Sequence, residues 1–318
     1  MTDASVTRPV VAKTEAWHGH PLPTFALSDA TPATQRVPVL VAGVFADGTL
    51  SDATQALDDA SKGCVSALLK RGDLGPEAGS SLVLYDVPGI SAERVLLVCL
   101  GKRQGLGEKS FFGALSGAGK ALSKLAADEA AVAITDVEVP GRPQAWRVLH
   151  ATRVLADSGY RFAAPKMEAN GGALGNRQAR KLTLLLPSKP TAELEAALRR
   201  GEAIAAGMAL TKDLGNLPGN VCNPEYLAET ARALGREHGF DVDVLEREDM
   251  ARLGMFSALS VGRASEHPCK FIVIRHRGGG DGAPIVLVGK GVTFDTGGVS
   301  LKPGEDLDMM KYDMCGAG

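Results

Sequence analysis

The stretch VPVLVAGVF (37–45) decides the fold class, because it is a continuous apolar run of strand length. Residues 52–70, which follow it, place apolar side chains at helical spacing. Outward from this pair the pattern predicts strands at 23–27, 81–85, 94–100 and 130–134 and helices at 110–127 and 144–156. Strands that alternate with helices predict an α/β fold with a largely parallel sheet.

A second α/β region is expected farther along, since 318 residues exceed the size of a typical single domain. Residues 163–178 are rich in Gly and Asn and predict a surface excursion near a domain boundary. We therefore expect one α/β domain over 1–180 and another over 181–318. The elements predicted in the second are a strand at 181–186, a helix at 192–210, a helix at 224–238 capped by Asn223, and strands at 240–245, 256–261, 270–275 and 284–288.

Charge and cysteine usage exclude several classes of protein. Lys plus Arg number 35 and Asp plus Glu number 37, so the formal net charge of −2 predicts neither nucleic-acid binding nor attraction to membranes. No apolar run approaches the ~20 residues of a membrane span, and the first residues lack the apolar core of a secretory signal. The five cysteines are scattered and form no CxxC pair. We expect a cytoplasmic protein with reduced thiols.

Candidate chemistry lies in IVLVGKGVTFDTGGVSLKPGEDLDMMKYDMCGAG (285–318). Lys290, Asp295 and Lys302 occupy glycine-rich loops after an apolar run, where open α/β sheets place ligands. Asp313 is flanked by Met, Tyr and Cys, so its carboxylate needs a cation or hydrogen-bond donors. A divalent metal would meet that need. The residues alone leave a second interpretation open, in which Asp295 caps a turn and Asp313 pairs with Lys311 or Lys302.

The segments VGKGVTFDTGGVSLKP (288–303) and MMKYDMCGAG (309–318) resemble the metal-binding signature of the leucine (cytosol) aminopeptidase family. The stretch KDLGNLPGNVCNPEYLAETA (212–231) is similar to the start of that family's catalytic domain. The resemblance is strong from about residue 201 onward and weak before it. It implies an N-terminal α/β, macro-like domain over 1–180, followed by an α/β catalytic domain with a central mixed sheet.

The resemblance also implies a role for each candidate residue. Lys290 corresponds to a lysine that ligates one metal through its amine, and Asp295 to a carboxylate that bridges two metals. Asp313 corresponds to a further ligand of the metal that Lys290 binds. Lys302 corresponds to the catalytic lysine, and Met310 to a residue that lines the pocket for the first side chain of the substrate. Two Mn²⁺ or Zn²⁺ ions per subunit, peptide substrates with a free N-terminus and a homohexamer are implied as well.

The sequence departs from the family pattern after Asp313. The family's remaining ligands, an Asp and a Glu, and a catalytic arginine belong to a later NTDAEGR-like motif that this sequence lacks. We therefore expect a C-terminally truncated chain with an incomplete catalytic domain, which is inactive alone. The expected function is that of a metal-dependent aminopeptidase that removes leucine-like N-terminal residues. The alternative is a non-catalytic fragment or scaffold of the same fold.

Two weaker motifs are interpreted structurally. FGALSGAGKA (112–121) suggests a phosphate-binding loop, and with it a nucleotide-binding module. However, Ala114 replaces the first glycine of that motif, and Ala121 replaces the Ser or Thr that should follow Lys120. We expect this segment to be a packed helix. NLPGN (216–220) is expected to be a structural turn.

Overall fold

The computed structural model describes residues 22–162 and 179–318. The described chain forms two compact units, which divide between residues 209 and 210. The boundary predicted at 180/181 therefore lies within the span of the first unit. The surface excursion predicted at 163–178 lies outside the described residues.

The first unit contains a six-stranded sheet. Its strands are β1 (Thr24–Ser28), β2 (Val39–Val44), β3 (Ser81–Tyr85), β4 (Arg94–Cys99), β5 (Glu129–Val132) and β6 (Lys181–Leu185). Their order is β1-β6-β5-β2-β4-β3. All neighbouring strands are parallel except β3, which runs antiparallel to β4. The predicted α/β class is confirmed, with a sheet that is mixed at one edge.

Helices cover both faces of this sheet. They are α1 (Asp52–Ala60), α2 (Cys64–Leu69), α3 (Glu108–Leu122), α4 (Gln144–Ser158) and α5 (Ala192–Asn216), and α5 continues past the division at 209/210. Alternate residues of β2 enter two different cores: Val41 packs in a core with residues of α3 and α4, and Leu40 in a core with residues of α1 and α2. Burial on both faces explains why 37–45 is an unbroken apolar run.

The single helix predicted over 52–70 is wrong, because the chain breaks between α1 and α2. Lys62 has a φ of 55° and Gly63 a φ of 84°, both in the left-handed region. The Gly63 amide donates to the Asp58 carbonyl oxygen at 2.8 Å, as expected where a left-handed glycine ends a helix. The apolar spacing continues across the break, which is why periodicity alone did not reveal it.

The second unit begins with the end of α5. Its further elements are α6 (Pro224–His238), β7 (Asp241–Leu245), α7 (Arg247–Arg252), α8 (Phe256–Val261), β8 (Phe271–Arg275) and a 3₁₀ helix (Leu307–Met314). Strands β7 and β8 form an antiparallel pair. The predicted cap of α6 is confirmed, because the Asn223 side chain accepts a hydrogen bond from the Tyr226 amide and Pro224 opens the helix.

Two of the strands predicted in this unit are wrong. Residues 256–261 form α8, since a short apolar run suits either a helix or a strand. Residues 284–288 form no regular element. The side chains of Ile285 and Leu287 are 93% and 92% exposed, so the run packs against nothing in the described chain. No helix among residues 22–162 and 179–318 is long and apolar enough to cross a membrane.

Candidate metal centre

Lys290, Asp295, Lys302 and Asp313 meet in the second unit. Lys290 Nζ lies 2.9 Å from Asp313 Oδ2 and 3.8 Å from Asp295 Oδ2. Lys302 Nζ lies 3.0 Å from Asp295 Oδ2. The structure thus brings Lys290, Asp295 and Asp313 together, and Lys302 faces the same cluster. The role of each residue stays a prediction.

Two glycines bring Lys290 and Asp313 together. A side chain on Gly289 would overlap the carbonyl oxygen of Gly316, so the backbones of the two segments are in direct contact. A Cβ on Gly316 would in turn lie 3.1 Å from the Lys290 amide nitrogen. Gly289 directly precedes Lys290, and Gly316 lies in the same segment as Asp313. The lack of side chains at both positions thus lets the segment that carries Asp313 approach Lys290.

A tight turn brings Lys302 back to Asp295. Gly297 has a φ of 93°, a conformation that favours glycine. Its amide donates a hydrogen bond to Asp295 Oδ1 at 2.9 Å. The Lys302 amide closes the turn by donating to the Thr296 carbonyl oxygen at 2.9 Å. The turn therefore fixes one oxygen of the Asp295 carboxylate and leaves the other, Oδ2, facing both lysine amines.

The surroundings of Asp295 and Lys290 favour the ionised form of each of these two side chains. The Gly297 amide and, after it, the Lys302 ammonium lower the pKa of Asp295 to about 2. The short contact with the Asp313 carboxylate raises the pKa of Lys290 above its ordinary value. A lysine ligates metal only as the neutral amine, so Lys290 would have to lose this proton in order to bind a dication.

The donor set fits a divalent cation. Asp313 Oδ2 is a buried carboxylate oxygen that lies 2.9 Å from the Lys290 amine. Asp295 Oδ2 faces the same space, and hard divalent ions prefer such carboxylate oxygens. The described residues contain no group of three or more His, Cys, Asp and Glu side chains that could hold a metal. The site is instead two carboxylates and a lysine amine.

The second interpretation, in which Asp295 caps a turn and Asp313 pairs with Lys311 or Lys302, agrees with the structure only for Asp295. Asp295 does accept a hydrogen bond within a turn, from the Gly297 amide. Asp313, however, pairs with Lys290. The Lys311 amine instead lies 3.4 Å from the Asn216 carbonyl oxygen. A turn cap alone therefore does not account for the cluster.

Met310 lies beside the candidate catalytic lysine. Lys302 Nζ is 2.9 Å from Met310 Sδ, so the thioether and the amine border the same space. Met310 is half-buried, whereas Met314 is fully buried. The contact agrees with a place for Met310 beside the reacting group, and its role in a substrate pocket stays a prediction.

Sequence reasoning missed one pair of contacts at this site. Tyr312 Oη donates to Asn216 Oδ1 at 3.1 Å, next to the Lys311 contact with the same residue. The motif NLPGN (216–220) was the available signal, since it combines Asn, Pro and Gly at a helix end. The motif predicts a structural turn, and nothing in it indicates a contact with Tyr312.

Two sequence profiles match this chain. The profile of the catalytic domain of the cytosol aminopeptidase family matches residues 209–318, and that of the family's N-terminal domain matches residues 41–168. The chain belongs to the cytosol aminopeptidase family. The match to the N-terminal domain lies within the α/β domain predicted over 1–180. The match to the catalytic domain lies within the stretch, from about residue 201 onward, in which the family resemblance is strong.

Curated relatives are similar over most of this chain. It is 57% identical over 294 residues to a probable cytosol aminopeptidase of Azoarcus sp. (strain BH72) and 52% identical to one of Aromatoleum aromaticum. Each match covers 92% of this chain and 59% of the relative. The chain thus spans about 59% of the length of these relatives.

Solved structures share the fold. A mutant of tomato leucine aminopeptidase aligns with a TM-score of 0.70 and 23% identity, over 93% of this chain and 57% of that one. The bottromycin maturation enzyme BotP in complex with Mn aligns with a TM-score of 0.68 and 24% identity, over 88% of this chain and 54% of that one. At this identity the likeness supports the fold alone.

Proposed function

We propose that this chain contributes to a metal-dependent aminopeptidase that removes N-terminal residues, preferably leucine-like ones, from peptides. The observation that carries the proposal is that two carboxylates and two lysine amines lie together, with nitrogen–oxygen distances below 4 Å. Family membership supports the reaction class. The names of the relatives support a cytoplasmic location, and a homohexamer with two Mn²⁺ or Zn²⁺ ions per subunit remains part of the proposal.

Lys290, Asp295 and Asp313 would hold the metal. When bound, a pair of divalent ions supplies a water-derived nucleophile at neutral pH and polarises the peptide carbonyl. Asp295 suits a bridging position, because Gly297 fixes its Oδ1 while its Oδ2 faces the amines of both Lys290 and Lys302. Asp313 suits a terminal position next to Lys290, since its buried Oδ2 contacts that amine.

The two lysines would act in opposite protonation states. Lys290 ligates only when neutral, so metal binding takes its proton. Lys302 would act as a hydrogen-bond donor, and its amine lies 3.0 Å from Asp295 Oδ2. A charged Lys302 can donate a hydrogen bond to the substrate's carbonyl oxygen as negative charge builds there. Met310, in contact with Lys302, would then border the first side chain of the peptide.

A non-catalytic scaffold of the same fold is the second candidate. It is compatible with the same family membership, because a fold does not by itself imply catalysis. A scaffold would retain the fold and could retain weak metal binding without turnover.

The test joins residues 1–318 to the remaining part of the Azoarcus relative and assays a leucine anilide with added Mn²⁺. We expect metal-dependent hydrolysis, lost when the substrate's amine is acetylated, since an aminopeptidase requires a free N-terminus. Hydrolysis of the acetylated substrate at an equal rate would contradict exopeptidase action. A joined chain that binds Mn²⁺ but hydrolyses neither substrate would favour the scaffold.

A further inference from the structure

The turn NLPGN (216–220) lies against both segments that carry the candidate ligands. Its first residue, Asn216, ends α5, and Leu217 is buried. The turn is held internally, because the amides of Val221 and Cys222 both donate to the Pro218 carbonyl oxygen at 2.9 Å. These hydrogen bonds fix the conformation of the turn, which contacts the segments that carry Asp313 and Asp295.

Asn216 holds the residues just before Asp313. Its side-chain Oδ1 accepts a hydrogen bond from the Tyr312 hydroxyl at 3.1 Å, and its carbonyl oxygen lies 3.4 Å from the Lys311 amine. The Lys311 amine also lies 4.8 Å from the centre of the Tyr312 ring. A Cβ on the preceding residue, Gly215, would lie 2.8 Å from Cys315 Sγ. Contacts on both sides of Asp313 thus fix its segment to the end of α5.

The other half of the turn packs on the residues just before Asp295. A Cβ on Gly219 would lie 3.2 Å from both Phe294 Cβ and the Thr293 carbonyl oxygen. Gly219 therefore lets the turn and the loop before Asp295 touch closely. One short motif, ordered by its own hydrogen bonds, is in contact with both carboxylate-bearing segments.

We propose that NLPGN is a positioning element of the metal centre, in which Asn216 sets the place of Asp313 and Gly219 sets the place of Asp295. The inference rests on the proposed function, because it assumes that these carboxylates bind metal. Groups that orient metal ligands without touching the ion typically contribute 10–100-fold in affinity. Asn216 acts through the neighbours of Asp313, so we expect about a tenfold effect, at the lower end of that range.

The test measures Mn²⁺ dissociation constants for the 318-residue chain from the electron paramagnetic resonance signal of the free ion. The variants are Asn216→Ala, Tyr312→Phe and their double, and thermal unfolding of each is followed without metal. We expect either single change to weaken binding about tenfold, the double to weaken it no further, and the unfolding midpoints to stay near that of the parent chain. Tyr312→Phe removes one oxygen, so it keeps the test valid if Asn216→Ala fails to fold.

Glycine variants test the second half of the turn. Gly219→Ala should weaken binding, because the added methyl pushes on the loop before Asp295. Gly279→Ala is the matched control, since its Cβ would meet nothing within 4 Å. Equal affinity of Gly219→Ala and Gly279→Ala would contradict the role of Gly219.

The outcomes separate the two proposals. If Asp313→Asn abolishes binding while the Asn216 and Tyr312 variants bind like the parent chain, the positioning role is wrong and the metal site stands. A fall in unfolding midpoint that matches the loss of binding would also overturn it, since that is what a purely structural contact produces. If Asp313→Asn itself binds like the parent chain, the metal site fails and this inference fails with it.

Discussion

Lys290 Nζ and Asp313 Oδ2 lie 2.9 Å apart, although they belong to separate segments of the chain. Contact between the backbones at Gly289 and Gly316 makes this approach possible. Gly289→Ala should therefore separate the pair and weaken Mn²⁺ binding, because its Cβ would overlap the Gly316 carbonyl. A titration of the variant with Mn²⁺ checks this. Gly304→Ala is the control, as its Cβ would meet nothing within 4 Å, and an equal loss in both variants would contradict the argument.

The division of labour between the lysines gives the second prediction. In the joined enzyme, Lys290→Ala should lower metal content, because it deletes a ligand. Lys302→Ala should keep the metal but lower turnover by ~10²–10³-fold, the usual cost of one oxyanion donor. Metal analysis and kinetics on both proteins separate the effects. Equal metal loss in the two variants would show that the assigned roles are wrong.

Residues 1–318 alone should hydrolyse little or no leucine anilide, even with Mn²⁺ in excess. Three proposed ligands are present, and in the proposal two of them, Lys290 and Asp313, would serve the same ion. The second ion would keep little beyond Asp295, and two-metal hydrolysis requires both ions. An assay beside the joined enzyme checks this. Comparable turnover by the two proteins would mean that the absent motif is dispensable.

The local pattern predicted the central strands of the first unit well, because β2 and β4 are buried along almost their whole length and are therefore continuously apolar. Strand β3 also matches its predicted bounds, 81–85, although it is partly exposed. In the second unit, the Asn223 cap of α6 appears as expected. The strand predicted at 284–288 is wrong for a physical reason. An apolar run forms a strand only if a neighbouring strand pairs with it, and none of the described residues does so. Spacing and resemblance indicated Lys290, Asp295, Lys302 and Asp313. The contact of Asn216 with Tyr312 depends on tertiary packing, which no local pattern encodes.

Asp136 gives a prediction about stability in the first unit. Burial raises the pKa of Asp136 to about 6, and its Oδ1 has no hydrogen-bond partner among the described residues. Its Oδ2 accepts a hydrogen bond from the Ala53 amide at 2.9 Å. Because the folded-state pKa lies above the unfolded one, the contribution of Asp136 to the free energy of unfolding should fall as pH rises from about 4 to about 6.

Asp136→Asn should remove this pH dependence and stabilise the first unit at pH 7, since a neutral amide oxygen can still accept from Ala53. A shift of roughly two pKa units limits the gain to at most about 3 kcal/mol. Urea unfolding at pH 5 and pH 7 checks it. Asp58→Asn is the contrast: its carboxylate accepts hydrogen bonds from the Ser66 amide and hydroxyl, so that change should destabilise. Destabilisation by both changes would contradict the account of Asp136.

The most direct test of the metal centre is the affinity of the 318-residue chain for Mn²⁺, compared among single carboxylate variants. Asp295→Asn and Asp313→Asn should each abolish or strongly weaken binding, because each removes a proposed ligand. Asp308→Asn removes the same charge from an exposed position on the Asp313 segment and should bind like the parent chain. If all three variants bind alike, the cluster of Lys290, Asp295 and Asp313 is not a metal site.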